Sequence, residues 1–229
     1  MGFNDHVYVL ESPDSGQESA YGDPAWSSRF RPVEVLNDYE GIKCPVNPEH
    51  QRAGRRIGAL EVVFRGQLRS DFLWTWHSQP MLIERAVSVF EKSDLTGYRL
   101  DPVTIFSNRS KREVRDDIRL FELVAIGKPV PTDPLSGVRE LFSCESCGLR
   151  KYSSYTNGLL LREEEWDGSD VFTVREYWKH IIVSERARSV IEEAALTNCA
   201  LVRTRDVSWG KTVRPEDVYR RREKKSPRA

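Results

Sequence analysis

The spacing of apolar residues divides the chain into short strands and two helices. Residues 7–10 (VYVL) and 59–66 (ALEVVFRG) are rich in β-branched side chains and read as strands. Residues 79–92 set Leu82, Ile83, Ala86, Val87, Val89 and Phe90 along one side. Pro80 fits a first turn, so the stretch predicts a helix. DLTGY ends it, and 98–106 and 118–127 predict two further strands. A second helix is expected over 180–195 and a last strand over 199–207. Residues 11–28, 41–54 and 128–137 hold the Pro, Gly, Ser and Asp of loops.

The two helices carry a further pattern. Laid over one another at an offset of 101, LIERAVSVFEKSDLTGYRL (82–100) and VSERARSVIEEAALTNCAL (183–201) agree at nine of nineteen positions. The identities include Arg85/Arg186, Leu95/Leu196 and Thr96/Thr197. Amphipathic spacing alone accounts for roughly one to three of them. The expected architecture is therefore α+β, in two degenerate tandem repeats. Each repeat has a small, mainly antiparallel sheet, one main helix and a cysteine knuckle resembling a zinc ribbon. The corresponding division is 1–112, 113–219 and a basic tail at 220–229. The bland alternative is two similar surface helices that each end in a Leu-Thr turn.

FSCESCGL (142–149) presents Cys144 and Cys147 with two residues between them and Gly148 after. This is half of a structural zinc site, which needs four thiolate or imidazole ligands in a tetrahedron. Cys44 lies 100 residues before Cys144, where the repeat places the other half, but Asn47 stands where its second cysteine would be. His50, three residues on, completes a Cys3His set of Cys44, His50, Cys144 and Cys147 around one structural zinc. The alternative is a decayed site, with Cys44 a small buried side chain and 144/147 a reduced turn. Cys199 falls in a predicted strand and is expected to pack in the core.

Composition narrows the function. Apolar residues make up 39% of the chain, enough for a packed core, and 35 basic side chains balance 35 acidic ones. A neutral chain has no global field for polyanions, so a nucleic-acid partner is disfavoured despite the basic tail. No apolar run reaches the roughly 20 residues of a membrane span, and the start lacks a signal peptide's basic and apolar segments. A cytoplasmic protein without a membrane partner is expected, its cysteines reduced or bound to metal. No phosphate-binding glycine loop, HExxH or GxSxG is present, His77 and His180 have packing explanations, and no enzyme is expected.

CPVN at 44–47, CESCG at 144–148 and the ending DVFTVREYWKHIIVSERARSVIEEAALTN resemble the bacterial double-CxxCG-motif immunity proteins of polymorphic toxin systems. The resemblance covers roughly residues 20–207 and is most specific at the second knuckle and 170–197. The first knuckle departs from it at Asn47. What it implies is a protein that protects its producer by binding a cognate protein toxin stoichiometrically, with no chemistry. A candidate contact is the acidic stretch Glu163, Glu164, Glu165 and Asp167 around Trp166, which suits a basic partner. The competing reading is a zinc-ribbon-type nucleic-acid-binding or regulatory protein.

Overall fold

The computed structural model describes residues 2–13, 33–64, 68–75, 78–209 and 214–217. The basic tail, His77 and most of the 11–28 loop lie outside the described residues. The chain runs through strands β1 (Val7–Glu11), β2 (Glu34–Val35), β3 (Tyr39–Ile42), β4 (Arg52–Arg56), β5 (Glu61–Val63), β6 (Phe72–Trp74) and β7 (Pro80–Ile83). Helix α1 (Glu84–Lys92) follows, then β8 (Tyr98–Pro102), β9 (Thr104–Phe106), β10 (Leu120–Ala125), β11 (Glu140–Cys144) and β12 (Leu149–Tyr152). The last elements are β13 (Val171–Thr173), β14 (Ile181–Ser184), α2 (Glu185–Glu193) and β15 (Ala200–Arg203). The fold is α+β, with small, mostly antiparallel sheets and few helices.

Both helices start about one turn later than their periodicity predicts, for the same reason. Met81 and Leu82 are adjacent and both fully buried, and so are Ile182 and Val183. A helix with one apolar side leaves one of two such neighbours facing outward, whereas a strand covered on both faces buries both. These residues therefore extend as β7 and β14, and the helices begin at the glutamates that follow. Pro80 opens a strand, where its missing N–H costs no ladder bond, rather than a helix. In α2 the hydroxyl of Ser184 accepts a hydrogen bond from the Ala187 N–H at 3.2 Å and caps the helix. The predicted 98–106 strand is interrupted at Val103: β8 joins one sheet, while β9 pairs parallel to β5 in another.

The two main sheets have the orders β13-β14-β1-β15 and β6-β7-β10-β8, and every pairing in them is antiparallel. In each, the strand before a helix and the strand after it flank a third strand. That third strand comes from elsewhere in the chain: β1 lies between β14 and β15, and β10 lies between β7 and β8. Each sheet thus holds one strand from the other half of the sequence. Residues of both sheets and both helices, among them Leu10, Phe72, Phe90, Leu123, Val183 and Ile191, bury into one shared cluster.

Reciprocal polar contacts join the halves at this core. Asp170 Oδ2 accepts hydrogen bonds from the backbone N–H of Thr96 at 2.8 Å and from its hydroxyl at 3.0 Å. Asp71 Oδ2 accepts the matching pair from Thr197, both at 2.8 Å. The N–H groups of Val171 and Phe72 return bonds to the carbonyls of Thr96 and Thr197 at 3.0 and 3.1 Å. Arg186 pairs with Asp170, and Arg85 with Asp71 at 2.7 Å. Each arginine also donates to the far side: Arg85 to the carbonyl of Ala194 at 2.6 Å, Arg186 to that of Asp94 at 3.0 Å. Each half thus supplies an aspartate to a threonine of the other half and to an arginine of its own helix. Both aspartates are only 4% exposed, so they need all of these partners.

Candidate metal centre

Two hairpins stand on this framework. In the first, β3 pairs with β4, and the connection between them carries Cys44, Asn47 and His50. Pro48–His50 is a single 3-10 turn, and the side chain of Asn47 caps it by accepting the Glu49 N–H at 2.9 Å. That cap turns the imidazole back toward Cys44. The hairpin is anchored to the β6-β7-β10-β8 sheet by Arg56, whose two terminal nitrogens meet the buried carboxylate of Glu122 at 2.9 and 2.5 Å. The fork-to-fork geometry fixes direction as well as distance.

The second hairpin is β11 with β12, closed by the CESCG turn. Gly148 has φ +65°, a left-handed conformation that a residue with a Cβ adopts only under strain. Its N–H donates to the Cys144 carbonyl at 2.8 Å, which tightens the turn so that both thiols leave on one side.

The hairpins bring Cys44, His50, Cys144 and Cys147 together, with one donor atom from each lying within 4.8 Å of all the others. Cys44 Sγ and Cys144 Sγ are 3.8 Å apart. Two thiolates bonded at about 2.3 Å to a tetrahedral zinc sit about 3.8 Å apart, so this spacing fits without movement. Cys147 Sγ lies 4.0 Å from His50 Nδ1, where the same geometry asks for roughly 3.5 Å, a small contraction. The four residues could hold a metal ion, and three soft thiolates with one imidazole are the donor set of zinc rather than of calcium or magnesium.

The surroundings of Cys147 favour that chemistry. Burial acts to raise the Cys147 thiol, but hydrogen bonds from Arg52 and the Leu149 amide, with the two neighbouring cysteines, bring it down to about 6. Asn47 Nδ2, a donor, lies 3.1 Å from His50 Nε2, so the ring as placed carries its proton on Nδ1; binding a metal through Nδ1 requires the other tautomer and the loss of this contact. The edge of the Phe142 ring closes on His50, centroids 5.0 Å apart.

No family model matches the chain, and no curated protein matches it. The geometry therefore stands by itself.

The remaining sequence candidates are placed as follows. Cys199 packs beside the shared cluster, where burial pushes its thiol up to about 11. His180 sits against the rings of Tyr155 and Tyr177, and burial lowers it to about 4, so it is neutral near pH 7. In the acidic stretch, Trp166 turns inward: its ring packs on Phe3 and Phe172 and its N–H donates to the Ser169 carbonyl at 2.9 Å. Asp167 accepts the N–H groups of Lys128 and Ser169, and Glu165 pairs with Lys128 at 3.0 Å. Glu163 and Glu164 are exposed at the rim of an open cleft of about 530 Å³ that Asp5, Asp133 and Arg205 also line. Two features escaped the sequence reading. One is Arg52, half-buried beside the cysteine cluster and, in the sequence, one of three arginines of β4. The other is the Asp71/Asp170 pair, whose members are 99 residues apart rather than 101 and so fall out of the helix alignment.

Proposed function

We propose that the chain is an immunity-type protein that neutralises a cognate protein toxin by stoichiometric binding, without chemistry of its own. In this reading it consists of two degenerate copies of one unit, each with a zinc-ribbon-like knuckle, sharing one structural zinc through Cys44, His50, Cys144 and Cys147. The matching sheet orders and the reciprocal Asp–Thr contacts support the duplication. The sulfur spacing supports the zinc. Asp170, Ser184 and Arg186, which lie in the segment that carries the resemblance, are spent on one another and on Thr96. That segment therefore builds the scaffold, and partner choice falls to the surface.

The observation that carries the binding reading is the cleft beside Glu163 and Glu164. Among the described residues neither carboxylate has a basic partner, while their neighbour Glu165 has two, Lys128 and Arg175. Uncompensated acid at the rim of a cleft suits a basic protein surface and speeds encounter with it. The test is to mix the purified chain with the toxin encoded beside it and measure complex formation and protection. A one-to-one complex is expected, with Glu163→Lys/Glu164→Lys weakening it roughly 10–100-fold. Absence of both complex and protection would refute the reading.

A further inference from the structure

Arg52 is the first residue of β4, two positions beyond His50. Among the described residues its guanidinium makes three hydrogen bonds, and all of them go to the two knuckles. One terminal nitrogen donates to Cys147 Sγ at 3.4 Å and to the His50 carbonyl at 3.4 Å. The other donates to the Cys147 carbonyl at 2.7 Å. The side chain thus clasps the tip of one hairpin to the tip of the other, and it does so beside the sulfur that must meet the metal.

We propose that Arg52 is the positioning residue of the metal centre: it holds Cys147 and His50 in register across the two hairpins and supplies the positive charge that a divalent cation bound by three thiolates still requires. The inference rests on the metal reading of the site. The charge count is direct. A divalent cation with three thiolates and a neutral imidazole carries a net charge of −1, which one guanidinium brings to zero. A monovalent soft cation in the same ligands would carry −2, and Arg52 would leave it unbalanced. The arrangement therefore favours a zinc-type divalent ion over a cuprous one. It also explains how the ligands can be gathered before any ion arrives, because the clasp joins protein to protein. Lysine cannot replace it fully. An ammonium is a point donor, while the two terminal nitrogens of arginine reach the Cys147 sulfur and carbonyl together.

The test uses the full-length chain loaded with zinc. Affinity is read by competition with a chromophoric chelator for the wild type, Arg52→Gln, Arg52→Lys and Arg55→Gln. Arg55 is the control, since its side chain is 84% exposed and pairs with Glu40. Arg52→Gln is expected to bind zinc about 10–100-fold more weakly, the usual cost of losing an outer partner of a metal ligand. Arg52→Lys should fall between, and Arg55→Gln should match the wild type. With cobalt in place of zinc, the thiolate-to-metal charge-transfer band should shift in Arg52→Gln, because the Cys147 sulfur loses its hydrogen bond. If Arg52→Gln does not fold, Arg52→Lys carries the test. Wild-type affinity and an unshifted band in the Arg52 variants would overturn the proposal, as would an equal loss in Arg55→Gln. A wild-type chain that takes up no zinc would overturn the metal reading itself, and this inference with it.

Discussion

Asp170→Ala is expected to destabilise the chain by about 3–5 kcal/mol, the loss of several hydrogen bonds to one buried carboxylate, each worth roughly 1.5–3 kcal/mol. The carboxylate is nearly inaccessible and accepts from Thr96, Ser184 and Arg186 at once. Truncating it leaves the Thr96 N–H and hydroxyl and the buried Ser184 hydroxyl without this acceptor, and the buried hydroxyl costs more than an average hydrogen bond contributes. For a chain of this length the unfolding midpoint should fall by roughly 6–20 °C. Asp71→Ala should act in the same direction through Thr197 and Arg85. The two changes together remove most of the roughly 5–15 kcal/mol that holds a domain folded.

The same carboxylates set the acid limit. Burial raises Asp170, but Arg186, Ser184 and Thr96 outweigh it and hold it at about 2, and Asp71 is lowered in the same way. Between about pH 4 and pH 2 the unfolded chain binds a proton at Asp170 that the native one does not, so native stability rises with pH across that window, and Asp71 acts in the same direction. The stability that Asp170 contributes should be complete above about pH 4 and lost as the pH falls toward 2. Asp170→Asn should flatten this part of the acid-unfolding curve. An unchanged curve, or Asp170→Ala melting with the wild type, would show that the contacts do not hold the halves together.

The second large effect is expected at the metal centre. Cys44 and Cys144 lie 100 residues apart, so an ion shared by their hairpins acts as a cross-link on a long loop. Stripping the zinc-loaded chain with a chelator should lower its melting midpoint by roughly 10–20 °C, by analogy with a disulfide closing a loop of that size. Cys44→Ser should melt at the lower temperature already and should not respond to chelator. The core sheets do not depend on the ion, so far-UV circular dichroism should keep most of its native signal in the stripped chain at 25 °C. A chelator-insensitive wild type would remove the cross-link from the account.

How much of this was legible in the sequence depended on whether the signal was local. The four candidate ligands could be read because cysteine spacing and a nearby histidine are local, and the structure gathers all four. The class of the fold followed from the short strands and the two amphipathic stretches. The starts of the helices did not, because an apolar run such as Met81-Leu82-Ile83 fits a helix face and a buried strand equally well until its neighbours are known. The placement of β1 and β10 in the opposite sheets was illegible, since no residue in either strand names its partner. Thr96 and Thr197 were visible as an identity, yet their work depends on aspartates about 74 and 126 residues away along the chain. The two-residue difference in the loops before β7 and β14 hid those aspartates from any fixed offset. Trp166 looked like an exposed anchor because acidic residues surround it in sequence, while in three dimensions Phe3 and Phe172 cover it.

X-ray absorption on the zinc-loaded chain tests the centre most directly. Three sulfurs at about 2.3 Å and one nitrogen at about 2.0 Å per zinc are predicted, with one zinc per chain and the nitrogen shell lost in His50→Ala. A shell made only of oxygen and nitrogen, or a stoichiometry near zero, would contradict it.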